Sequence, residues 1–289
     1  MQMPPLLRLM RPRQWVKNLF VFTGLLFSHA WDDTALVLRV VVAAVAFSFM
    51  ASAIYVINDL ADREADRRHP VKRHRPLASG AVGVPAALLL AALLIVVAAA
   101  LAAWVSSSVL WLIAAYAVLN LAYSAGLKQV VILDVFLIAA GFMLRILAGT
   151  LGVDIAPSQW LLLTGLFLTL FLGFAKRRAE WTAAAGSGAA QRRVLAQYGP
   201  ELLDHMLSVA AAGVVMSYSL YTMSPETIAR HGTASLIYTV PFVLYGIFRY
   251  IHLLHHRQRG EDPASDLLLD PHMVATFLAW LTTTVWLLA

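Results

Sequence analysis

Residues 35–66 read ALVLRVVVAAVAFSFMASAIYVINDLADREAD. The first two dozen are almost wholly apolar, enough for a helix to cross the roughly 30 Å hydrocarbon core of a bilayer. The run then ends in Asn58-Asp59-Leu60-Ala61-Asp62-Arg63-Glu64-Ala65-Asp66, an acidic cluster set directly against the membrane. If the helix continues, Asp59, Asp62 and Asp66 stand at i, i+3 and i+7. At about 100° per residue they cover only about 60° of its surface. Glu64 points to the opposite side. A carboxylate stripe repels itself unless a positive charge sits on it, and hard oxygen ligands beside substrate phosphates are what Mg²⁺ prefers. The stretch predicts a membrane helix that delivers a metal–phosphate site to one membrane surface, with Asn58 as a further oxygen donor.

The rest of the chain repeats the apolar theme. Of its 289 residues 60% are hydrophobic and 13% charged, against about 45–50% and about 25% in soluble domains. Nine apolar stretches read as spans: 15–31, 35–58, 84–104, 107–125, 130–151, 158–176, 205–224, 234–255 and 269–288. Trp15 and Trp31 flank the short first span and suit an interface. Gly126 ends the fourth span, and Gly152 with Pro157 marks the turn after the fifth. The expectation is an all-α polytopic membrane protein with one domain over 1–289, no soluble domain and no internal repeat. The absence of cysteine excludes disulfides, thiolate metal sites and cysteine nucleophiles. Arg8, Arg11, Arg13 and Lys17 precede an apolar run without a small-residue cleavage site, so the amino terminus does not read as a cleavable signal.

The net charge of +6 is distributed for topology rather than for nucleic acid. Most of the Lys and Arg fall at the amino terminus and in the connections 59–83, 126–129, 176–204 and 256–268. The alternate loops are short and nearly free of cations. By the positive-inside rule the amino terminus and these connections face the cytoplasm, and the carboxyl terminus lies outside. Nine spans fit this alternation, and an even number does not.

Four further constellations stand out, each with an ordinary alternative. His69-Pro-Val-Lys-Arg-His-Arg75 offers Lys72, Arg73 and Arg75 as phosphate clamps, or as an anchor on anionic lipid. Arg11-Pro-Arg-Gln-Trp-Val-Lys-Asn18 looks like an interfacial anchor, except that Lys17 and Asn18 lie inside the helix start. Tyr123-Ser-Ala-Gly-Leu-Lys128 is followed by Asp134 and Arg145, eleven residues apart and so on one helix face. Ionisable groups inside a span face a cavity or a partner, and the ordinary alternative is a structural charge pair. Lys176-Arg-Arg-Ala-Glu180 closes the sixth span, where a stop-transfer cluster is equally ordinary. His69 and His74 have no metal-ligand spacing.

The chain resembles the UbiA superfamily of intramembrane prenyltransferases over nearly its whole length. The resemblance rests on nine spans, Asn-Asp-x-x-Asp-x-x-x-Asp after the second, and a Tyr-x-x-x-x-Lys turn after the fourth. It implies a UbiA-type helical bundle with its active site on the cytoplasmic side of a bacterial inner membrane. Members that prenylate aromatic acids carry a second Asp-rich motif after the sixth span. Here the corresponding stretch is Lys176-Arg177-Arg178-Ala179-Glu180. With residues 11–18 and the long Asp-to-Arg-Pro run, this is similar to the decaprenyl-phosphate phosphoribosyltransferase branch.

That branch implies transfer of phosphoribose from phosphoribosyl pyrophosphate to a polyprenyl phosphate in cell-envelope synthesis, with Mg²⁺ or Mn²⁺ in its place. Asn58, Asp59, Asp62 and Asp66 are then the metal set. Lys72, Arg73 and Arg75 are expected on phosphates. Lys17, Asn18, Lys128, Arg145, Lys176 and Arg177 are expected near the sugar 5-phosphate or the lipid phosphate. Tyr123 and Asp134 are expected at the ribose, or Asp134 instead orients Lys128 or Arg145. The tail lies among membrane lipid. A homo-oligomer stays open, since apolar outer faces serve lipid and neighbours alike. The rival readings are an aromatic prenyltransferase and a lipid transporter.

Overall fold

The computed structural model describes residues 3–28, 30–187, 194–256 and 270–288. They are helical nearly throughout, with no strand among the described residues. Eight helices are long and apolar enough to cross a membrane. They are built on α1 (Thr34–Ala61), α2 (Val84–Val105), α3 (Ser107–Ala125), α4 (Leu133–Ala148), α5 (Gln159–Ser187), α6 (Pro200–Met223), α7 (Val240–His256) and α8 (Pro271–Leu288), the span on α4 running on to Val153 and that on α7 starting at Ser235. The chain is an all-helical, multi-pass membrane protein.

The first expected span takes a different form. Pro12–Phe22 is a 3₁₀ helix, followed by an α-helical turn and a half at Thr23–Ser28. A 3₁₀ helix rises about 2.0 Å per residue and an α-helix about 1.5 Å, so these short pieces reach roughly 31 Å, about one hydrocarbon thickness.

The chain forms two compact units, Met1–Ala125 with Leu144–Ala156, and Gly126–Met143 with Pro157–Ala289. In the first, α1 is the central helix. Asp33 caps its start, its carboxylate accepting from the Ala35 and Leu36 amides at 3.0 and 3.1 Å. Ala43, Ala46, Phe47, Ala53 and Val56 of α1 are fully buried. Helix α2 buries Ala87, Ala91, Leu94, Ala98, Ala102 and Val105, a period near 3.6 that turns one mostly alanine stripe to α1. Small residues let the two backbones approach, which is how helices associate in lipid, where apolar surface alone gives no drive. The outward faces of α2 and α3 carry Leu89, Trp104, Trp111 and Val118, as lipid contact requires.

The amino-terminal segment is fastened to α1 by hydroxyls. The Trp15 indole donates to Ser52 Oγ at 3.0 Å, and Ser52 donates to the Met10 carbonyl at 2.8 Å. Trp15, expected as an interfacial anchor, is half-buried and also packs edge-on to Phe49. The segment crosses the end of α4 where Gly24 meets Gly149: a Cβ on Gly149 would lie within 1.6 Å of the Val21 carbonyl oxygen. Arg39, a cation within a span, is answered by Asp154 at 3.0 Å.

In the second unit α5 packs along α6, around Phe171, Phe174, Leu203, Leu207 and Tyr250. Arg249 and Asp270 pair at 2.8 Å where α7 meets the start of α8. The Asp270 carboxylate also accepts from the Met273 amide at 3.1 Å, capping α8. The connection expected at 256–268 lies outside the described residues beyond His256.

Candidate active site

The acidic stripe forms at the end of α1. Helix α1 stops at Ala61, and Arg63–Arg68 makes a second short helix. Asp62 joins them at φ −88° and ψ 1°, while the Asp62 and Asp66 amides still donate four residues back, to Asn58 and Asp62, at 2.9 and 2.8 Å. The helical screw therefore nearly continues across the junction. Asp59 and Asp66, seven residues apart, return to the same side and are 3% exposed. Asp62 is exposed and makes no ion pair among the described residues.

Two guanidinium groups serve the buried carboxylates. Arg75 Nη1 lies 3.1 Å from Asp59 Oδ1 and 2.7 Å from Asp66 Oδ2. Arg11 Nη2 lies 2.5 Å from Asp59 Oδ1, and its guanidinium sits over the Tyr55 ring. Arg75, expected on substrate phosphate, thus bridges the acids, and Arg11 joins them from the amino-terminal segment. Such close pairing is what buried charges require. Glu64 points away, as expected, to Arg67 at 3.1 Å.

Asn58, Asp59, Asp62 and Asp66 provide only hard oxygen donors within two turns, the donor chemistry that suits Mg²⁺. Among the described residues no three His, Asp or Glu side chains are gathered closely enough to share one ion. Arg75 itself supplies the positive charge between Asp59 and Asp66. Of the other cations of this connection, Lys72 and Arg73 are exposed and pair with no carboxylate among the described residues.

The polar groups inside the membrane separate into two buried sets. In the first unit, Arg145 is 5% exposed. It donates through Nε to Asn18 Oδ1 at 2.7 Å and through Nη2 to the Tyr116 hydroxyl at 2.9 Å, and it stacks on the Tyr116 ring. Asn18, 3% exposed, donates on to Ser48 Oγ at 2.8 Å. Asn18 and Arg145, two candidates for substrate contact, bind each other. Lys17 beside them is half-buried.

In the second unit Arg177 and Asp134 are both fully buried, with Nε to Oδ2 at 2.6 Å. Arg177 Nη1 also reaches Glu180 at 2.5 Å, and Asp134 accepts from the Tyr198 hydroxyl at 2.7 Å. Burial, and secondarily the hydrogen bond to Asp134, raises the Tyr198 phenol above its ordinary pKa and keeps its proton in place. Arg178 pairs with Asp204 at 2.9 Å. Arg177, expected as an anion contact, turns its Nε to Asp134 and its Nη1 to Glu180. Asp134, expected to orient Lys128 or Arg145, orients Arg177 instead. Lys176 stays partly exposed, 4.0 Å from Glu180. Tyr123, in the last turn of α3, and Lys128, in the turn that follows, are partly exposed, and Lys128 makes no ion pair among the described residues.

Sequence reasoning missed Arg11 and Tyr198. Arg11 had a signal, as a cation close before a polar helix start. Tyr198 had none, being a single aromatic in a connection.

Residues 18–287 match the UbiA prenyltransferase family. The chain is 35% identical to a decaprenyl-phosphate phosphoribosyltransferase of Mycolicibacterium smegmatis, over 96% of this chain and 90% of that one. It is 36% identical to the enzyme of the same name from Corynebacterium glutamicum, over 95% and 84%. A UbiA homologue of Archaeoglobus fulgidus, solved with GPP and Mg²⁺, superposes with a TM-score of 0.71 at 20% identity, covering 98% of this chain and 99% of that one.

Proposed function

Because the chain belongs to the UbiA prenyltransferase family, we propose that it transfers 5-phosphoribose from phosphoribosyl pyrophosphate to a polyprenyl phosphate at the cytoplasmic face of a bacterial membrane. The observation that carries this reading is the pair of buried carboxylates, Asp59 and Asp66, held on one guanidinium at a helix end. It marks a place built to balance a dense positive charge against acids, as pyrophosphate chemistry needs. The two phosphoribosyltransferase relatives support the choice of substrates, and the product is read as an envelope precursor.

In this reading Asn58, Asp59, Asp62 and Asp66 would hold Mg²⁺, which when bound neutralises pyrophosphate charge. The bond from ribose C1 to the pyrophosphate oxygen breaks, and its electron pair leaves on pyrophosphate. A new bond forms from a polyprenyl phosphate oxygen to C1, and the sugar passes through oxocarbenium character. The attacking oxygen is already ionised at neutral pH, so no strong general base is needed. Exposed Lys72 and Arg73, and partly exposed Lys128, are the cations with charge to spare for the anions. Catalysis is then positioning and charge stabilisation.

The test is a single turnover on purified protein with Mg²⁺, polyprenyl phosphate and radiolabelled phosphoribosyl pyrophosphate, with an EDTA control. Label extracted with the lipid only when Mg²⁺ is present supports the proposal. No label, together with prenyl transfer from a prenyl pyrophosphate to an aromatic acid, overturns it.

A further inference from the structure

The turn 126–132 carries a conformational strain that its own sequence does not explain. Gly126 and the 3₁₀ turn Leu127–Gln129 present Lys128, and the chain then enters α4 through Ile132. Ile132 has φ +69°. This left-handed conformation is costly for a β-branched side chain, and such residues persist only where the surroundings hold them.

The holding group is Tyr198. The Ile132 amide donates to the Tyr198 hydroxyl at 2.6 Å, and that hydroxyl donates to Asp134 Oδ1 at 2.7 Å. Asp134 is fixed in turn by Arg177 at 2.6 Å, and Arg177 by Glu180 at 2.5 Å. Tyr198 is 2% exposed and comes from the segment just before α6. One oxygen therefore satisfies the strained amide and ties it to a buried ion pair.

We infer that Tyr198 is a positioning residue for Lys128, its hydroxyl latching the 126–132 turn in the strained form that presents the lysine to a substrate phosphate. This rests on the proposed role of Lys128 as an anion contact. The chain Glu180–Arg177–Asp134–Tyr198 then has a use: it makes the position of a partly exposed cation as rigid as the core.

The test uses the full chain in detergent with Tyr198→Phe, which deletes one oxygen and keeps the ring. Ile132→Gly is made in that background, because glycine adopts positive φ without strain and no longer needs the latch. Hydrogen exchange of amides 127–133 is read without substrate. KM for phosphoribosyl pyrophosphate and kcat are read from product formation, and Lys128→Met is the reference. Tyr198→Phe is expected to speed exchange in the turn by about tenfold or more and to raise KM at least fivefold, with kcat within about twofold. The glycine is expected to bring KM back to within about twofold of the parent. Unchanged exchange in Tyr198→Phe overturns the latch whatever the substrate is. Faster exchange with an unchanged KM in an active enzyme overturns the link to Lys128. If the parent makes no phosphoribosylated lipid, the functional reading fails separately, and KM is replaced by protection of Lys128 from amine acylation by inorganic pyrophosphate. The latch then requires that protection to be weaker in Tyr198→Phe, and equal protection overturns it.

Discussion

Replacing Arg177 with Met separates a structural cation from a substrate contact. Arg177 and Asp134 are fully buried, with Nε to Oδ2 at 2.6 Å. Methionine fills much of the same volume but takes the guanidinium from the Asp134 carboxylate, which still accepts from the Tyr198 hydroxyl. Removing one partner of a buried pair costs about 3–5 kcal/mol. At roughly 2–4 °C per kcal/mol for a chain above 150 residues, the thermal midpoint should fall by about 6–20 °C. The double variant Asp134→Leu/Arg177→Met removes both charges, and apolar replacement of a whole buried pair is often neutral. It gives up the acceptor of Tyr198, worth about 1 kcal/mol. The double variant should therefore be more stable than Arg177→Met alone by about 2 kcal/mol or more. Arg177→Lys should not rescue, because an ammonium lacks the planar fork that meets Asp134 and Glu180 together. Scanning fluorimetry in detergent, with Trp emission as the signal, measures all three. If Arg177→Met keeps its midpoint within about 2 °C while KM for phosphoribosyl pyrophosphate rises, the guanidinium belongs to the substrate and the buried-pair reasoning is refuted.

Asp59→Asn and Asp66→Asn should each lower kcat/KM by about 100-fold or more, or about 2.7 kcal/mol of transition-state stabilisation. Glu64→Gln should stay within about threefold, since its pairing with Arg67 is a surface contact worth about 0–1 kcal/mol. Equal losses would show that the helix face does not matter. Among the described residues, Arg75→Met leaves the two buried carboxylates with Arg11, opposite Asp59, as their remaining cation. Its midpoint should fall without divalent cations and recover with millimolar Mg²⁺ more than the parent's does. An equal Mg²⁺ response in both would mean that Arg75 and the metal do not share a place. The Asp270 carboxyl is depressed to about 2, first by its bond from Arg249 and also by the Met273 amide. A depressed acid stabilises the fold above its unfolded pKa of about 4, and that stability is lost as pH falls through the folded value. The midpoint advantage of the parent over Asp270→Asn should be full at pH 6 and shrink between about pH 4 and 2. A pH-independent difference would remove the charge from the explanation.

How much of this could be read from the sequence depends on the range of each interaction. The helical screw runs within one segment, so Asp59 and Asp66 could be placed on one side from numbering alone, and the junction at Asp62 does not disturb it. The spans were legible for the same reason, apart from the amino-terminal one, where close packing at Gly24 and Gly149 accompanies a 3₁₀ path that periodicity does not encode. Asp134 and Arg145 do share a helix, but eleven residues put them about 16 Å apart along the axis. A shared face was not enough for contact, and each took a partner from elsewhere in the chain. The cations were the least legible. Lys176, Arg177 and Arg178 are adjacent and chemically alike, yet one is partly exposed at 37% and its neighbour is fully buried. The difference lies in Asp134, 43 residues earlier. An acid inside a span was itself the signal that some cation must be buried with it, but the sequence holds 22 candidates for that place. Spacing cannot choose among them, because the pairing is made by the packing of α4 against α5, with Val135 set against Gly173 one turn from the ion pair. Charge count therefore points to the existence of a buried pair, and only the helix contact decides which arginine is buried with the acid.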